Sequence, residues 1–430
     1  MKKPTVFRLL IVLPGLLALT LFTSIAAADE VVIFTDDALE KVVRSELDKP
    51  AGEDIYQSDL ATLTTLRVNF RGITDLTGLE YCTALTELEL AYNEITDITP
   101  LCGLSNLVSL SLHVNQVNDI TPLAGLTGLT SLSIAENQVS DITSLSGLTG
   151  LTELYISENS ISDIFPLSGM VKLTKLHIQN NQISDISPLS GMEDLSTIYF
   201  WRNEISDLTP LSDLPILVDL RGGYNQISDI SPLSGLTYLY YLQLAGNDIS
   251  DISTLANFEQ LTQCYLYENR ISDLTPLSGL TELYYLSLWD NEISDVSPLL
   301  DNEGLGEGDV LKLEKNPLSQ ESVNVYLPQL MDRGVDVVWQ PVIKPDGEPT
   351  ATQQPATTYE PTPTAASTVT AAPATATTTP LPATATQTPS PTPTPSDGEE
   401  STFNLWVVIG PIIGILVVWR LVLFLRKGEE

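Results

Sequence analysis

A 22-residue repeat through the middle of the chain is the feature that most restricts its fold. The segment from Leu85 to Leu101 recurs with the same spacing of leucine, asparagine, isoleucine and proline, and its asparagine returns every 22 residues as far as Asn291. We count 12 units, the first with Arg71 in place of the asparagine and the last ending at Asn316. Units of this length bury a hydrophobic face only against their neighbours, so the pattern predicts one stacked solenoid.

The pattern within each unit predicts its secondary structure. Each unit reads L-x-x-L-x-L-x-x-N-x-I, the consensus of a leucine-rich repeat. The x-L-x-L-x stretch predicts a short parallel strand with its leucines pointing inward and its x residues outward. A 22-residue unit leaves no room for a full helix on the return path, so the Ser-Asp-Ile-Ser-Pro-Leu-Ser-Gly segment predicts a 3₁₀ turn and loop. We therefore predict an α/β solenoid with a parallel concave β-sheet, a 3₁₀/loop convex side and a helical N-terminal cap.

The unit N-x-I-S-D-I-x-P-L-S-G-L resembles the internalin-type bacterial leucine-rich repeats over about residues 60–320. The resemblance implies a curved solenoid whose concave strand face binds other macromolecules. The chain departs from that family in two respects, since neither an immunoglobulin-like segment after the repeats nor a sortase wall signal is evident. The resemblance therefore implies binding through the repeats but does not imply host-cell invasion.

The ends of the array have sequences typical of caps. Residues 36–47 place their apolar side chains on one helical stripe with acids in the first turn, which predicts a helix covering the first strand. A second helix and a last strand are predicted after Asn316. We assign residues 29–58 to the N-terminal cap, 59–320 to the repeat array and 321–340 to the C-terminal cap.

Both ends of the chain have the composition of targeting segments. Residues 1–28 combine basic residues, an apolar run and an Ala-Ala-Ala site, which predicts a removed signal peptide, with an uncleaved anchor as the alternative. Residues 341–402 are rich in Pro, Thr and Ala and predict a disordered stalk. Residues 403–425 are nearly all apolar and predict one transmembrane helix, followed by a cytoplasmic tail at 426–430 that begins with Arg426 and Lys427. We therefore expect a single-pass protein of a prokaryotic cell surface, with its N-terminus outside.

The composition argues against several classes of function. The formal net charge is −35, and so acidic a surface repels phosphate backbones, which argues against a nucleic-acid partner.

The two histidines, His113 and His177, fall three repeats apart, so about 15 Å separates them. That separation is too large for one metal ion. Since no glycine-rich phosphate loop or catalytic constellation is visible, we predict a non-enzymatic protein without metal or cofactor.

The three cysteines are too few and too unevenly spaced to form a disulfide framework. Cys82 and Cys264 stand at core positions of the pattern, where they predict small buried side chains. Cys102 stands at a loop position usually held by serine. A bridge between Cys82 and Cys102 stays open at this point.

Eleven aspartates follow the repeat, from Asp75 to Asp295 at 22-residue intervals. Stacked about 5 Å apart, they are candidates for a calcium-binding ladder. Calcium sites, however, usually draw several oxygens from one loop, and each aspartate here stands largely alone beside serine or threonine. The pattern favours a role in capping the 3₁₀ turn.

The outward-facing positions of the strands change character along the array. They carry mainly small side chains in the early units and mainly aromatic ones, mixed with charges, in the later units. Exposed Tyr, Trp and Arg on a concave surface are typical of interface hot spots, and aromatic rings also suit the faces of sugars. The predicted ligand-binding residues are Tyr155, Tyr199, Trp201, Arg202, Arg221, Tyr224, Tyr241, Tyr265, Tyr267, Glu268, Tyr285, Trp289 and Asp290.

Two interpretations of this surface remain open. In the first, the chain is a cell-surface binding or adhesion module that recognises a protein or glycan ligand outside the cell. In the second, which the acidity and the aspartate ladder suggest, the chain is a structural envelope component with lateral or cation-mediated contacts. The aromatic rings would then pack as ladders simply because aromatics favour strands. The bias toward one half of the array favours the first interpretation, because strand propensity predicts no such bias.

Overall fold

The computed structural model describes residues 29–340. The predicted signal peptide, stalk, transmembrane segment and tail fall outside this range. Within it, none of the helices has the length and hydropathy needed to cross a bilayer.

One parallel sheet of 13 strands runs through this part of the chain, in which each strand pairs with the next in sequence. Neighbours from β1 to β11 are in register at a shift of 22 residues, as in Leu66 beside Leu88. The shift grows by three between β11 and β12, where Leu286 lies beside Leu311. The strands are β1 Thr65–Arg67, β2 Glu87–Glu89, β3 Ser109–Ser111, β4 Ser131–Ser133, β5 Glu153–Tyr155, β6 Lys175–His177, β7 Thr197–Tyr199, β8 Asp219–Arg221, β9 Tyr241–Gln243, β10 Gln263–Tyr265, β11 Tyr285–Ser287, β12 Val310–Lys312 and β13 Asp336–Val338.

Short 3₁₀ turns on the return path confirm the predicted convex side. Most begin at the Ser-Pro or Thr-Pro step, where proline presets the φ angle of a first turn. Their bounds are Leu79–Tyr81, Thr99–Leu101, Thr121–Gly125, Thr143–Gly147, Phe165–Leu167, Ser187–Leu189, Thr209–Leu211, Ser231–Gly235, Ser253–Asn257, Thr275–Leu277 and Ser297–Leu300.

Helices close both ends of the array. Helix α1 (Asp37–Glu46) begins after Asp36, whose carboxylate accepts the amide protons of Ala38 and Leu39. A one-turn helix α2 (Gln57–Leu60), which the sequence did not predict, completes the N-terminal cap. At the other end a π-helical turn leads into α3 (Leu327–Asp332), and β13 then adds the predicted last strand.

The core is one continuous column of leucine, isoleucine and valine from both caps through every unit. Cys82 and Cys264 are buried in it as expected, and burial raises the pKa of each thiol to about 12. Cys102 is exposed. All three thiols are free, so the structure contains no Cys82–Cys102 bridge.

The repeated asparagines join each unit to the one before it. Asn203 is representative: its Oδ1 accepts the amide proton of Ile183 at 2.9 Å. Its Nδ2 donates to the carbonyls of Ile178 and Phe200 at 3.0 Å. The same acceptor role recurs from Asn93 through Asn316, so one amide satisfies buried backbone groups at every turn.

The repeated aspartates stabilise the 3₁₀ turns. In Asp97 the Oδ1 atom accepts the amide proton of Thr99 at 2.8 Å, and the equivalent bond forms at all eleven aspartates. The carboxylate stands one residue before the N-cap, which is Ile98 in this unit. The turn-capping interpretation is therefore confirmed, with the aspartate accepting its bond from a position one residue before the N-cap rather than at it.

Candidate functional site

The solvent-facing side of the sheet is described most simply by position in the nine-residue segment L-x-x-L-x-L-x-x-N. Positions 1, 4 and 6 are buried, whereas positions 3 and 5 on the strand and position 8 after it are in most units at least partly exposed. Position 7 is buried where its side chain is small, as in Ala91 and Ala245, and is partly exposed at Trp201, Tyr267 and Trp289. In leucine-rich-repeat solenoids this side is the concave one. The aromatic residues of the later units form two rows on it.

The first row, here called the tyrosine row, takes one side chain from each of the eight strands β5 to β12. Its members are Tyr155, His177, Tyr199, Arg221, Tyr241, Tyr265, Tyr285 and Lys312. Successive ring centroids lie 4.1 to 5.2 Å apart where two rings meet. Because Tyr241 and Tyr285 stand at position 3 and Tyr265 at position 5, those three rings stack diagonally across the ladder.

Arg221 joins the two halves of the tyrosine row. Its guanidinium carbon lies 4.4 Å from the ring centre of Tyr199 and 4.0 Å from that of Tyr241. The same group makes two hydrogen bonds of 2.9 Å to the carboxylate of Asp219, which also accepts the hydroxyl proton of Tyr199. The charge of Arg221 is thus neutralised inside the row, and its role there is to hold the rings in place.

His177 lies between Tyr155 and Tyr199, edge-on to the first ring and stacked on the second. Burial, with a smaller effect from the positive charge of Arg221, lowers the pKa of His177 to about 4. The imidazole is therefore neutral at pH 7. The loss of hydration on burial, and not the aromatic neighbours, disfavours the charged form of this ring.

The second row, here called the tryptophan row, occupies positions 7 and 8 of the units from β7 to β12. It consists of Trp201, Arg202, Tyr224, Tyr267, Glu268, Trp289, Asp290 and Lys315. Tyr267 and Trp289 stack with centroids 4.7 Å apart and planes 9° from parallel. Lys315 covers Trp289 at 4.8 Å from the ring centre and pairs with Asp290 at 2.9 Å.

Residues at position 8 have a left-handed backbone, which the sequence pattern did not predict. Arg202, Tyr224, Glu268 and Asp290 have φ between 54° and 56°. Among the repeat units that the structure describes, only one has glycine at this position, Gly246. Residues other than Gly, Asn and Asp rarely adopt a left-handed backbone. The amide of each such residue donates to the carbonyl at position 7 of the next unit, as Arg202 does to Gly223, and this bond holds the strained conformation.

All thirteen predicted ligand-binding residues lie in these two rows. Sequence reasoning omitted His177 and Lys312 from the first row and Lys315 from the second, although each follows the position pattern that identified the others. It also missed the pairing of Asp219 with Arg221. Positions 3 and 5 of a unit lie on one face of the strand, and this spacing was the available signal for that pair.

The rows combine four cations with three carboxylates once Asp219 is included, so they form a nearly neutral surface on a chain of net charge −35. Arg202 has no carboxylate partner among the described residues, and its guanidinium lies 5.7 Å from the ring centre of Tyr224. Within the same range, no three His, Cys, Asp or Glu side chains lie close enough to hold one metal ion.

Comparison with known proteins identifies the family to which the repeats belong. A family model described as leucine-rich repeats (2 copies) matches residues 83–125, 127–169 and 171–213. An internalin of Listeria monocytogenes, InlF, whose crystal structure is known, is 33% identical in sequence to this chain. The match covers 65% of this chain and 97% of the InlF chain, with a TM-score of 0.50. This chain belongs to the internalin-type leucine-rich-repeat proteins.

Two other solved structures share the fold of this chain. The functional domain of Listeria monocytogenes InlJ is 25% identical over 66% of each chain, with a TM-score of 0.55. A leucine-rich-repeat protein of Leptospira interrogans shares the fold at 20% identity, covering 64% of this chain and 84% of its own, with a TM-score of 0.56. No curated protein matches this internalin-type chain. Internalin-type repeats are binding modules rather than enzymes, and leucine-rich-repeat domains generally bind protein ligands.

Proposed function

We propose that this internalin-type protein is a cell-surface binding and adhesion module that recognises a protein ligand through the tyrosine and tryptophan rows. The observation that carries the proposal is the continuous contact of these side chains across eight strands. Tyr, Trp and Arg are the residues that dominate interface energetics, and here they are concentrated on one face of one half of the array.

Pre-organisation supports this role. Tyr265 is held between Tyr241 and Tyr285, and Tyr155 donates its hydroxyl proton to Glu153 at 3.1 Å. Side chains that are already fixed lose little conformational entropy when a partner binds. A rigid aromatic surface of this kind favours a partner that is itself folded and presents a complementary patch.

The orientation of the rings favours a protein over a glycan at this surface. A sugar stacks on an open ring face. In the tyrosine row, however, the faces of Tyr241, Tyr265 and Tyr285 are turned toward one another, so mainly ring edges meet the solvent. Because the rows are nearly neutral, they repel an acidic partner less than the rest of this acidic chain does.

The surface location of this proposed module depends on the two ends of the chain. We infer that residues 1–28 direct export, that residues 403–425 cross the membrane once, and that residues 341–402 form a stalk. In extended polyproline geometry that stalk spans up to about 190 Å. Export predicts a mature N-terminus at Asp29. A tag at the C-terminus should react with antibody only after intact cells are permeabilised.

Capture of extracellular proteins by the full chain tests the proposed site. The test variant carries Trp201→Ser, Tyr267→Ser and Trp289→Ser. The control variant carries Phe165→Ser, Val171→Ser and Ile216→Ser, which removes three exposed apolar side chains elsewhere. A protein captured by the parent and the control, but not by the test variant, supports the proposal if circular dichroism shows all three chains folded.

Equal capture by the parent and the test variant would contradict the proposed site. It would favour the alternative of a structural envelope component, for which ladder packing of the rings serves stability alone. Capture of a glycan in place of a protein would retain the site but change the class of ligand.

A further inference from the structure

A cleft of about 540 Å³ opens on the edge of the solenoid where the strands begin, outside both aromatic rows. It lies between the loops that lead into β9 and β10. Its volume is within the range of small-molecule sites. The side chains that matter for its chemistry are Ser234, Thr237, Tyr238, Asn257, Glu259 and Gln260.

Tyr238 supplies this cleft with an open aromatic ring. It is 63% exposed, and within residues 29–340 it makes no ring–ring or cation–ring contact. This distinguishes it from Tyr265, whose two faces are covered by neighbouring rings. The cleft therefore offers what the tyrosine row lacks, a flat apolar face on which a pyranose ring can stack.

The polar side chains around Tyr238 are free to bind a ligand. In the described part of the chain, the side chains of Asn257, Glu259 and Gln260 form no hydrogen bond or ion pair. The equivalent of Gln260 seven units earlier is Asn106, which donates to the carbonyl of Thr83 at 2.8 Å. The amide at this position is thus used within the solenoid near the N-terminal end but left free at the cleft.

We propose that this cleft binds a neutral oligosaccharide, with one sugar ring stacked on Tyr238. Asn257 and Gln260 each present an amide donor and an acceptor, and the carboxylate of Glu259 accepts from hydroxyl groups. Vicinal hydroxyls of a sugar match such alternating donors and acceptors. None of the described residues that line the cleft is a cation, and Glu259 repels a negatively charged sugar, so the ligand carries no sulfate or carboxylate.

The test measures binding of defined sugars to the full chain in detergent by titration calorimetry. The neutral probes are maltotriose, cellotriose and the trimer of N-acetylglucosamine, and 3′-sialyllactose is the anionic probe. We expect saturable binding of at least one neutral probe and none of the anionic one. Tyr238→Ala and Gln260→Ala should each weaken the binding about tenfold or more, a loss of roughly 1.4 kcal/mol. Tyr238→Phe should retain most of it.

Two matched variants separate this site from other surfaces. Tyr240→Ala removes an exposed tyrosine two residues away that does not line the cleft, and it should bind as the parent does. Trp289→Ser, in the tryptophan row, should also leave sugar binding unchanged, so the outcome is independent of the proposed protein-binding role. Failure of every neutral probe at millimolar concentration, or binding that survives Tyr238→Ala, overturns the proposal.

Discussion

The ring of Phe200 fills the space above Gly222, so that a Cβ added to Gly222 would collide with Phe200 Cε2 and Cζ. Both residues stand at position 6, one in the unit of β7 and the other in the unit of β8. Every other unit carries Leu, Ile or Val at this buried position. The large residue and the missing side chain therefore compensate each other across the unit boundary.

Gly222→Leu restores the repeat consensus, yet we expect it to destabilise the protein by about 1–3 kcal/mol because the added side chain overpacks the core. The double variant Phe200→Leu/Gly222→Leu should recover much of that loss. Urea denaturation monitored by circular dichroism measures the unfolding free energy of the single and the double variant. A stabilising Gly222→Leu would show that the core at β7 and β8 relaxes around the added side chain.

Asn203→Ala should cost about 3 kcal/mol, since it leaves the amide of Ile183 and the carbonyls of Ile178 and Phe200 without their partner. Asn203→Asp should be at least as harmful, because a carboxylate would face those carbonyls in place of a donor. Arg71→Ala is the matched control. Arg71 occupies the asparagine position of the first unit but is exposed, so its removal should change the unfolding free energy by less than about 0.5 kcal/mol.

The histidine in the tyrosine row makes stability depend on pH. The folded-state pKa of His177 is about 4, below the ordinary value near 6.5, so in that interval the unfolded chain binds a proton that the folded chain does not. The contribution of neutral His177 to the unfolding free energy is therefore complete above pH 6.5. It is lost as the pH falls toward 4, by up to about 3 kcal/mol.

His177→Phe, which keeps a ring in the stack, should flatten the dependence of unfolding free energy on pH between 6.5 and 4.5. Titration of the His177 imidazole by NMR provides a direct check. Parallel slopes for the parent and the variant would contradict the prediction.

Arg221→Lys should lower stability by about 1–2 kcal/mol although it keeps the charge. A lysine ammonium cannot stack flat between Tyr199 and Tyr241 or make both hydrogen bonds to Asp219. Arg270→Lys serves as the control, because Arg270 is exposed and makes a single bond to Asp248. Similar losses in both variants, measured as urea midpoints, would argue against a special role for the stacked guanidinium.

The aspartates of the 3₁₀ turns should act as hydrogen-bond acceptors and not as calcium ligands. Asp273→Ala should lower the melting temperature slightly, whereas Asp273→Asn should preserve it, since the amide oxygen can accept the proton of Thr275. The hydrogen bonds from Thr275 lower the pKa of Asp273, so this contribution is lost only as the pH falls below about 4. A fall in melting temperature on adding EDTA would instead favour the calcium ladder.

The elements that the sequence predicted correctly are those that repeat. Leu88, Asn115 and Asp97 each have equivalents at 22-residue intervals, and a periodic chain places equivalents one strand spacing apart. The thirteen predicted ligand-binding residues lie on one side of the sheet for the same reason, because position in the unit decides which side of the strand a residue faces. The helix α2 was missed because Gln57–Leu60 is a single turn with no apolar periodicity of its own.

The sequence alone thus determined the parallel register, the buried positions and the face on which the aromatic residues lie, since all three follow from the period. Only the tertiary structure decided how neighbouring units share space. It showed that Phe200 uses the room left by Gly222, and that Arg221 is neutralised by Asp219. It also left the ring of Tyr238 open while covering that of Tyr265. These relationships depend on side-chain volumes and orientations in adjacent units, which a repeat pattern read one unit at a time does not contain.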